Sequence, residues 1–352
     1  MSEASTRVAA DALQRFASGV FQFHELSREH AEQTARCLVR ADLRGVGTHG
    51  VARIPIYTDR LRRGLVNPRP ALRLEALTPV AARLDGDNGM GFVVAARAMD
   101  EAITRARDFG IGLLLVQNST HFGMAASYLL QAIDAGFAAF VFTNASPAMP
   151  VWGGKVPFLG TSPFAFGAPG GHTHPRVVLD MATSVAARGK IRRAMQRGES
   201  IPEGWALDAS GRPTTNAKEG YDGLILPLGG PKGSGLSLMM EVLAGVMSGA
   251  AFGGEVGNQY IDFDRPQNVC HMMIALRPDL AMTVTEYRAR MDDLLGRAAA
   301  NPRVDPEQEI LMPGEPEARL ELERLEHGIP LSSDELDMLR AEGERAHIAF
   351  PW

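Results

Sequence analysis

Two cysteines in 352 residues, Cys37 and Cys270, exclude a disulfide scaffold, and neither belongs to a C-x-x-C pair of the zinc-knuckle type. Both are expected to be buried free thiols in a reducing compartment. No apolar run approaches the ~18 residues needed to cross a bilayer. The opening MSEASTRVAADALQRF lacks the apolar core of a secretory leader, so a cytoplasmic location without membrane partners is expected. The formal net charge is −5 and the basic residues form no stripe, which argues against a nucleic-acid partner. The densest basic stretch, Arg188, Lys190, Arg192, Arg193 and Arg197, reads equally well as a solvated helix face. Several catalytic signatures are also missing. No G-x-G-x-x-G follows a first strand with an acidic residue ~20 positions on, and Gly86, Gly89 and Gly91 have the wrong order for it. A dinucleotide enzyme built on this chain would therefore not be a standard Rossmann protein. Gly229–Gly235 is not a Walker A loop, and no G-x-S-x-G elbow is present. No third ligand accompanies His172-Thr173-His174 or the isolated His271, so no metal site is expected.

What is present indicates an α/β protein long enough for two or three domains. The first ~65 residues read as helical, with Ser27 as an N-cap and a helix through Cys37, Leu38 and Ala41 that ends near Gly45. A third helix is expected over VARIPIYTDRLRRG, closed by Gly64. From Ala71, short strands alternate with helices: LRLEAL and ARLDG, then VVAARAMDEAITRARDFG, GLLLVQN, MAASYLLQAIDAG and AAFVFTN. Residues 145–175 are rich in Gly and Pro yet carry Trp152, Phe158, Phe164 and Phe166, so they are expected as ordered loops and short strands lining a cleft. VVLDMATS, a basic helix ARGKIRRAMQRG, a loop over EGWALDASGRPTTNAKEG and an apolar helix LSLMMEVLAGVMSG follow. HMMIAL reads as a strand and YRARMDDLLGRAAA as a helix. Ser332-Ser333-Asp334-Glu335 offers a capping box for a last helix reaching about His347.

Three segments carry candidate chemistry. In Thr48-His49-Gly50-Val51-Ala52-Arg53, an imidazole that exchanges protons near neutrality stands four residues before a guanidinium that holds a carboxylate through two parallel hydrogen bonds. If the segment is helical, both side chains share a face, which suits an acid with a carbonyl beside its carboxylate. The competing reading is a helix-start His and a surface Arg. In Asn118–Met124, between a strand and a helix, free backbone N–H groups suit a dinucleotide phosphate, or the segment is a polar loop with a capping His. In GGPKGSG (229–235) glycines permit close backbone approach and Lys232 adds a charge, or the segment is a structural turn.

Taken together, DLRGVGTHGVARIPIY, NSTHFG, TNASPAMPVWGG, GTSPFAFGAP, DMATSVAARGKI, GGPKGSGLSLMMEVL and MPGE, in this order along nearly the whole chain, resemble the malate/L-lactate dehydrogenase family that lacks a Rossmann fold. The resemblance implies a mainly antiparallel sheet in the cofactor region flanked by helices, a sulfolactate dehydrogenase-like fold, and a homodimer. It implies a helical region over 1–75 packed with helices of 318–352, and an α/β region over 76–317. It also implies hydride transfer between NAD or NADP, with NAD placed ahead, and C2 of a small 2-hydroxy or 2-oxo carboxylate. Carried over by residue, His49 is the acid/base and Thr48 helps to position it. Arg53, Thr161, Arg188 and Gly189 contact the substrate. His121, Phe122, Gly123, Met124, Ala125, Asp180, Met181, Ala182, Pro231, Lys232, Met312, Pro313, Gly314 and Glu315 contact the cofactor. Members that reduce imines carry an aspartate after the Arg-Gly pair, linked to the catalytic His; here Lys190 stands there. This weighs towards hydroxy acids over a cyclic or N-alkyl imine carboxylate and leaves open what orients His49, with Asp180 as one candidate. A dinucleotide-binding sensor without catalysis is the rival of another class.

Overall fold

The computed structural model describes residues 5–352; the first four residues of the opening segment, and what the leader reading rests on there, lie outside the described residues. The chain begins β1 (Ser5–Val8), α1 (Ala10–Phe23), α2 (Arg28–Leu43) and α3 (Ile54–Arg62). It continues β2 (Arg73–Ala76), β3 (Ala81–Asp85), α4 (Gly91–Phe109), β4 (Ile111–Ser119), α5 (Ala126–Asp134), β5 (Ala138–Thr143), β6 (Phe164–Ala168) and β7 (Val177–Met181). A smaller unit follows: α6 (Arg188–Arg197), β8 (Ala206–Leu207), β9 (Pro213–Thr214), α7 (Ala217–Asp222) and β10 (Leu224–Ile225). The chain closes with α8 (Pro231–Met240), β11 (Val269–Leu276), α9 (Val284–Ala299), α10 (Glu315–His327), β12 (Ile329–Ser332) and α11 (Ser333–Ala346).

The main sheet has the order β2-β3-β4-β11-β5-β6-β7, and every neighbouring pair is antiparallel except β3–β4. Its central strand β11 thus comes from late in the sequence and enters between β4 and β5. The small residues of α4 let that helix lie almost on the sheet: a Cβ on Gly112 of β4 would sit 1.9 Å from the carbonyl oxygen of Ala102. His271 of β11 is fully buried between Ser119 and Thr143, its Nε2 2.8 Å from the Ser119 hydroxyl and its Nδ1 2.7 Å from that of Thr143. Burial pushes this imidazole down to about 3, so it sits neutral as a polar brace in an apolar layer. Cys37 and Cys270 are both buried and free.

The two ends of the chain meet. β1 pairs antiparallel with β12, and a second apolar core joins Leu13, Phe16 and Phe21 of α1 and Leu38 of α2 with Leu339 of α11. Ser27 caps α2 by accepting from the His30 N–H, and Ser332 with Glu335 forms the capping box of α11. A third, small core of Ile191, Ile201, Ala206, Ala217 and Ile225 sits under α6 and the β10-β8-β9 sheet.

Four local expectations need correction. The opening region is not purely helical, since it contains β1. The segment from Val51 is not one helix: Gly50 is extended (φ −92°, ψ −156°), which breaks the ladder into two 3-10 turns, Gly47–His49 and Val51–Arg53, and α3 starts only at Ile54, with Pro55 in its first turn. The supposed loop after α6 contains β8, β9 and α7. Its two-residue strands are too short to show a period, and Asp208 turns the hairpin by accepting from the Ser210 and Arg212 N–H groups. Finally, α8 begins inside the glycine-rich segment at Pro231 and runs into a π-helical turn, Glu241–Val246.

Candidate active site

Between the main sheet, the 47–53 turns and the α6–β10 unit lies a cleft of about 1660 Å³. Single small-ligand sites occupy roughly 300–1,000 Å³, so this one has room for a dinucleotide and a small acid together. Thr48, His49 and Arg53 line it from one side. The Thr48 hydroxyl lies 3.0 Å from His49 Nδ1, which leaves Nε2 for a reactant. Arg53 folds back so that its Nε donates to the Thr48 carbonyl, while its Nη1 is buried and has no partner among the described residues. The guanidinium stands 5.8 Å over the Tyr260 ring. A straight helix is therefore not what brings His49 and Arg53 together; the kink at Gly50 does.

His121, from the β4–α5 connection, stacks on His49 with ring centroids 5.6 Å apart. The Gly123 N–H donates to His121 Nδ1, so that nitrogen is an acceptor and the Tyr57 hydroxyl, 2.8 Å away, donates to it as well. The proton of neutral His121 therefore resides on Nε2. Burial, followed by the Arg53 charge, pushes His49 down to about 3, and the same two causes hold His121 well below the usual histidine range. Burial raises Tyr57 above the usual phenol range. Two neutral imidazoles thus flank one orphaned guanidinium nitrogen.

The cofactor segments partly converge. His121, Phe122, Gly123, Met124 and Ala125 line the cleft, as do Asp180, Ala182, Met312, Pro313 and Gly314. Two glycines provide close backbone approaches: Gly123 (φ +77°), whose Cβ would strike the Phe92 ring at 2.4 Å, and Gly314 (φ +86°), whose Cβ would lie 2.7 Å from Val178. Four expected contacts lie outside the lining. Met181 is paired with Phe164 within the sheet. Glu315 accepts from the Met312 N–H and binds Arg319, closing the first turn of α10. Pro231 and Lys232 are exposed at the start of α8, where Gly230 abuts Trp152 and Ser234 accepts from the Trp152 N–H. The glycine-rich segment makes a turn here, with Gly229 and Gly230 at positive φ. Asp180 does not reach His49; its Oδ2 accepts from the Ala126 N–H at the start of α5, and burial pushes it up to about 6.

Of the substrate candidates, Thr161, Arg188 and Gly189 line the cleft. Arg188 stacks on Tyr221, 5.2 Å from the ring, and donates to its carbonyl. Gly189 brings the start of α6 against the 47–49 turn, since its Cβ would lie 3.3 Å from Thr48 Cγ2. Lys190 is exposed and absent from the lining. His172 and His174 belong to a loop held by Asp292, which accepts from both backbone N–H groups. Sequence reasoning missed Tyr57, although it lies four residues beyond Arg53, the same spacing that singled out Arg53. It also missed Tyr260 and Gln267, whose 256–268 loop has no readable period; Gln267 Oε1 accepts from the His121 N–H.

Comparison with known proteins agrees with this geometry. The malate/L-lactate dehydrogenase family model matches residues 8–340. L-sulfolactate dehydrogenase of Methanocaldococcus jannaschii is 38% identical over 301 residues, 84% of this chain and 85% of that protein. Malate dehydrogenase of Pyrococcus abyssi is 36% identical, covering 99% of this chain and 97% of its own. The solved sulfolactate dehydrogenase structure from M. jannaschii superposes with a TM-score of 0.91 at 34% identity, over 97% of this chain and 98% of that one. The non-Rossmann sheet, the cleft and these matches agree: the chain belongs to the malate/L-lactate dehydrogenase family.

Proposed function

We propose that the protein transfers a hydride between a nicotinamide dinucleotide and C2 of a small 2-hydroxy or 2-oxo carboxylate, with His49 as acid/base. The observation that carries this reading is the buried, unpartnered Nη1 of Arg53 beside an imidazole whose Nε2 is free. A buried guanidinium nitrogen without an acceptor is costly, and a substrate carboxylate satisfies it. The volume of the cleft leaves room for a dinucleotide beside the acid, and NAD is placed ahead of NADP. When bound, the nicotinamide supplies or accepts the hydride. Arg53 fixes the carboxylate with Thr161 beside it, and His49 Nε2 takes the hydroxyl proton in oxidation or returns it in reduction. Neutral His49 is already the base that oxidation needs. For reduction, a carboxylate on Arg53 offsets the smaller of the two causes that depress the ring, the Arg53 charge, while burial continues to hold it down.

Lys155, Arg188 and Arg192 lie further along the same cleft, which favours substrates with a second anionic group, of the malate or sulfolactate type, over lactate. The test is a panel of malate, lactate, sulfolactate and ureidoglycolate with NAD+ and with NADP+, plus 2-oxo acids with and without methylamine, followed by reduced-nicotinamide absorbance. Turnover of a hydroxy acid supports the reading. Reduction that requires the amine replaces it with imine chemistry, and cofactor binding without turnover of any substrate replaces it with a sensor.

The reading extends to assembly and place. Leu238, Met239, Val242, Val246 and Met247 form an exposed apolar stretch along α8 and its π-helical turn, as a homodimer interface would. Light scattering of Val242→Asp should then report a monomer. We also take residues 1–75 with 318–352 as one unit and 76–317 as the other, and place the protein in the cytoplasm, as its two free buried thiols suggest.

A further inference from the structure

The imidazole of His49 is steadied by Thr48, but the structure also contains a device that fixes the backbone carrying it. We propose that Asp42 is the positioning residue of the catalytic turns, its carboxylate setting where His49 and Arg53 point. This rests on the reading of His49 as acid/base.

Asp42 lies in the last turn of α2 and is 5% exposed. Its Oδ2 accepts from the Val51 N–H at 2.8 Å. Val51 opens the second 3-10 turn, midway between His49 and Arg53, so one hydrogen bond governs the placement of both. The backbone of Gly50 lies flat against the same carboxylate: a Cβ there would sit 1.8 Å from Oδ1 and 2.2 Å from Cγ. No side chain fits in that space, which gives a reason for glycine at the kink although its φ of −92° is open to any residue.

The end of α2 that carries this carboxylate is itself well anchored. Arg324 of α10 donates to the Asp42 carbonyl. Two residues on, Arg44 is 3% exposed and donates to Glu321 Oε2 at 2.7 Å and to the Gly314 carbonyl at 3.4 Å. α10 starts beside Gly314, on the cofactor side of the cleft. Asp42 thus ties the acid/base turn to the helix that begins at the expected cofactor segment, so that proton transfer and hydride transfer share one frame. Burying a carboxylate for a single backbone N–H is expensive, and burial pushes this one up to about 8. Asp180, the other candidate for the role, does not reach His49 but caps α5, and Lys190, which stands where imine-reducing members have an aspartate, is exposed.

The test compares Asp42→Asn, Asp42→Ala and Gly50→Ala in the full chain, with His49→Gln in parallel. Misplacement of a reacting group by about 1 Å costs on the order of 100-fold in rate. Asp42→Ala should therefore lose kcat on that order, keep its cofactor affinity, and show a larger primary isotope effect with 4-deuterated reduced cofactor. Asp42→Asn retains an acceptor oxygen and should restore most of the loss. Gly50→Ala should lower kcat more in the native background than in Asp42→Ala, where the clash is gone. If Asp42→Ala does not fold, the Asn variant and Gly50→Ala carry the test. Full turnover in Asp42→Ala, an Asn variant as impaired as Ala, strictly additive effects at 42 and 50, or equal losses of kcat and cofactor affinity would each overturn the inference. Turnover surviving in His49→Gln removes the acid/base reading itself; a dead His49→Gln beside an active Asp42→Ala removes only the role of Asp42.

Discussion

The two walls of the cleft are built differently. The wall carrying His49 and Arg53 is locked by buried polar groups. Asp42 holds the turns and Arg44 and Arg324 hold the end of α2. Arg60, 1% exposed, donates to the carbonyls of Gln259, Asp262 and Arg265 and so fixes the loop that carries Tyr260. The wall made by residues 145–163 and the α6–β10 unit rests on a small separate core and presents exposed cations. Precise placement of reacting atoms requires locked rotamers, whereas substrate choice is easily varied on loosely held surfaces. The proposed chemistry thus falls on the first wall and the proposed discrimination among acids on the second.

The largest expected effect lies on the locked wall. His49→Ala should lower kcat by roughly 10²–10⁴-fold with cofactor binding intact, as general acid–base catalysis implies; near-native turnover would remove the division of labour. Arg53→Ala should act mainly on KM. One lost charged hydrogen bond is worth roughly 1.5–3 kcal/mol, about 10- to 150-fold, and an unchanged KM for the true substrate would contradict the assignment. On the second wall, Lys155→Ala or Arg192→Ala should raise KM for a dianionic substrate by no more than about 5-fold, since exposed charges are worth up to ~1 kcal/mol, and leave lactate unaffected. Equal effects on both acids would erase the contrast between the walls.

Two pH profiles sharpen it further. With His49 pushed down to about 3, its basic form persists through mildly acidic pH. The kcat/KM for oxidation should therefore show no protonation of an ordinary histidine near pH 6.5. A smaller effect concerns stability. Asp42 is pushed up to about 8 by burial, with Arg324 opposing and Glu335 reinforcing the shift. Folding takes up a proton there, so this group's contribution is complete at low pH and is lost as pH rises from the ordinary carboxylate range to about 8. The melting temperature of Asp42→Asn relative to the native chain should rise across that window and then level off.

Much of the locked wall was legible because its sequence is local. The H-x-x-x-R spacing offered His49 and Arg53 only as candidates, and the ordered motifs singled them out; the helix assumed for the spacing does not form, and the Gly50 kink returns the Arg53 side chain to Thr48 by another route. Ser27 and Ser332 announced their helices because capping depends on three neighbouring residues. Asp42 was not legible, since a carboxylate that serves a backbone N–H nine residues away leaves no pattern. The exposed position of Lys232 was not legible either: its glycine-rich surroundings read alike as a close backbone approach to a ligand and as a structural turn. The α/β alternation suggested layers, but strand order depends on pairings between distant residues. The mainly antiparallel sheet was expected only from the resemblance.

The position of β11 has a consequence for how the protein is made. As the chain emerges during synthesis, β4 and β5 are complete by Thr143, yet the strand that joins them begins at Val269. Until it arrives, Ser119 and Thr143 lack the imidazole that braces them, and two strand edges stand open to wrong partners. The loops that end β4 and β5 are walls of the cleft, so the nascent chain cannot assemble its reaction chamber until more than two thirds of it has been translated.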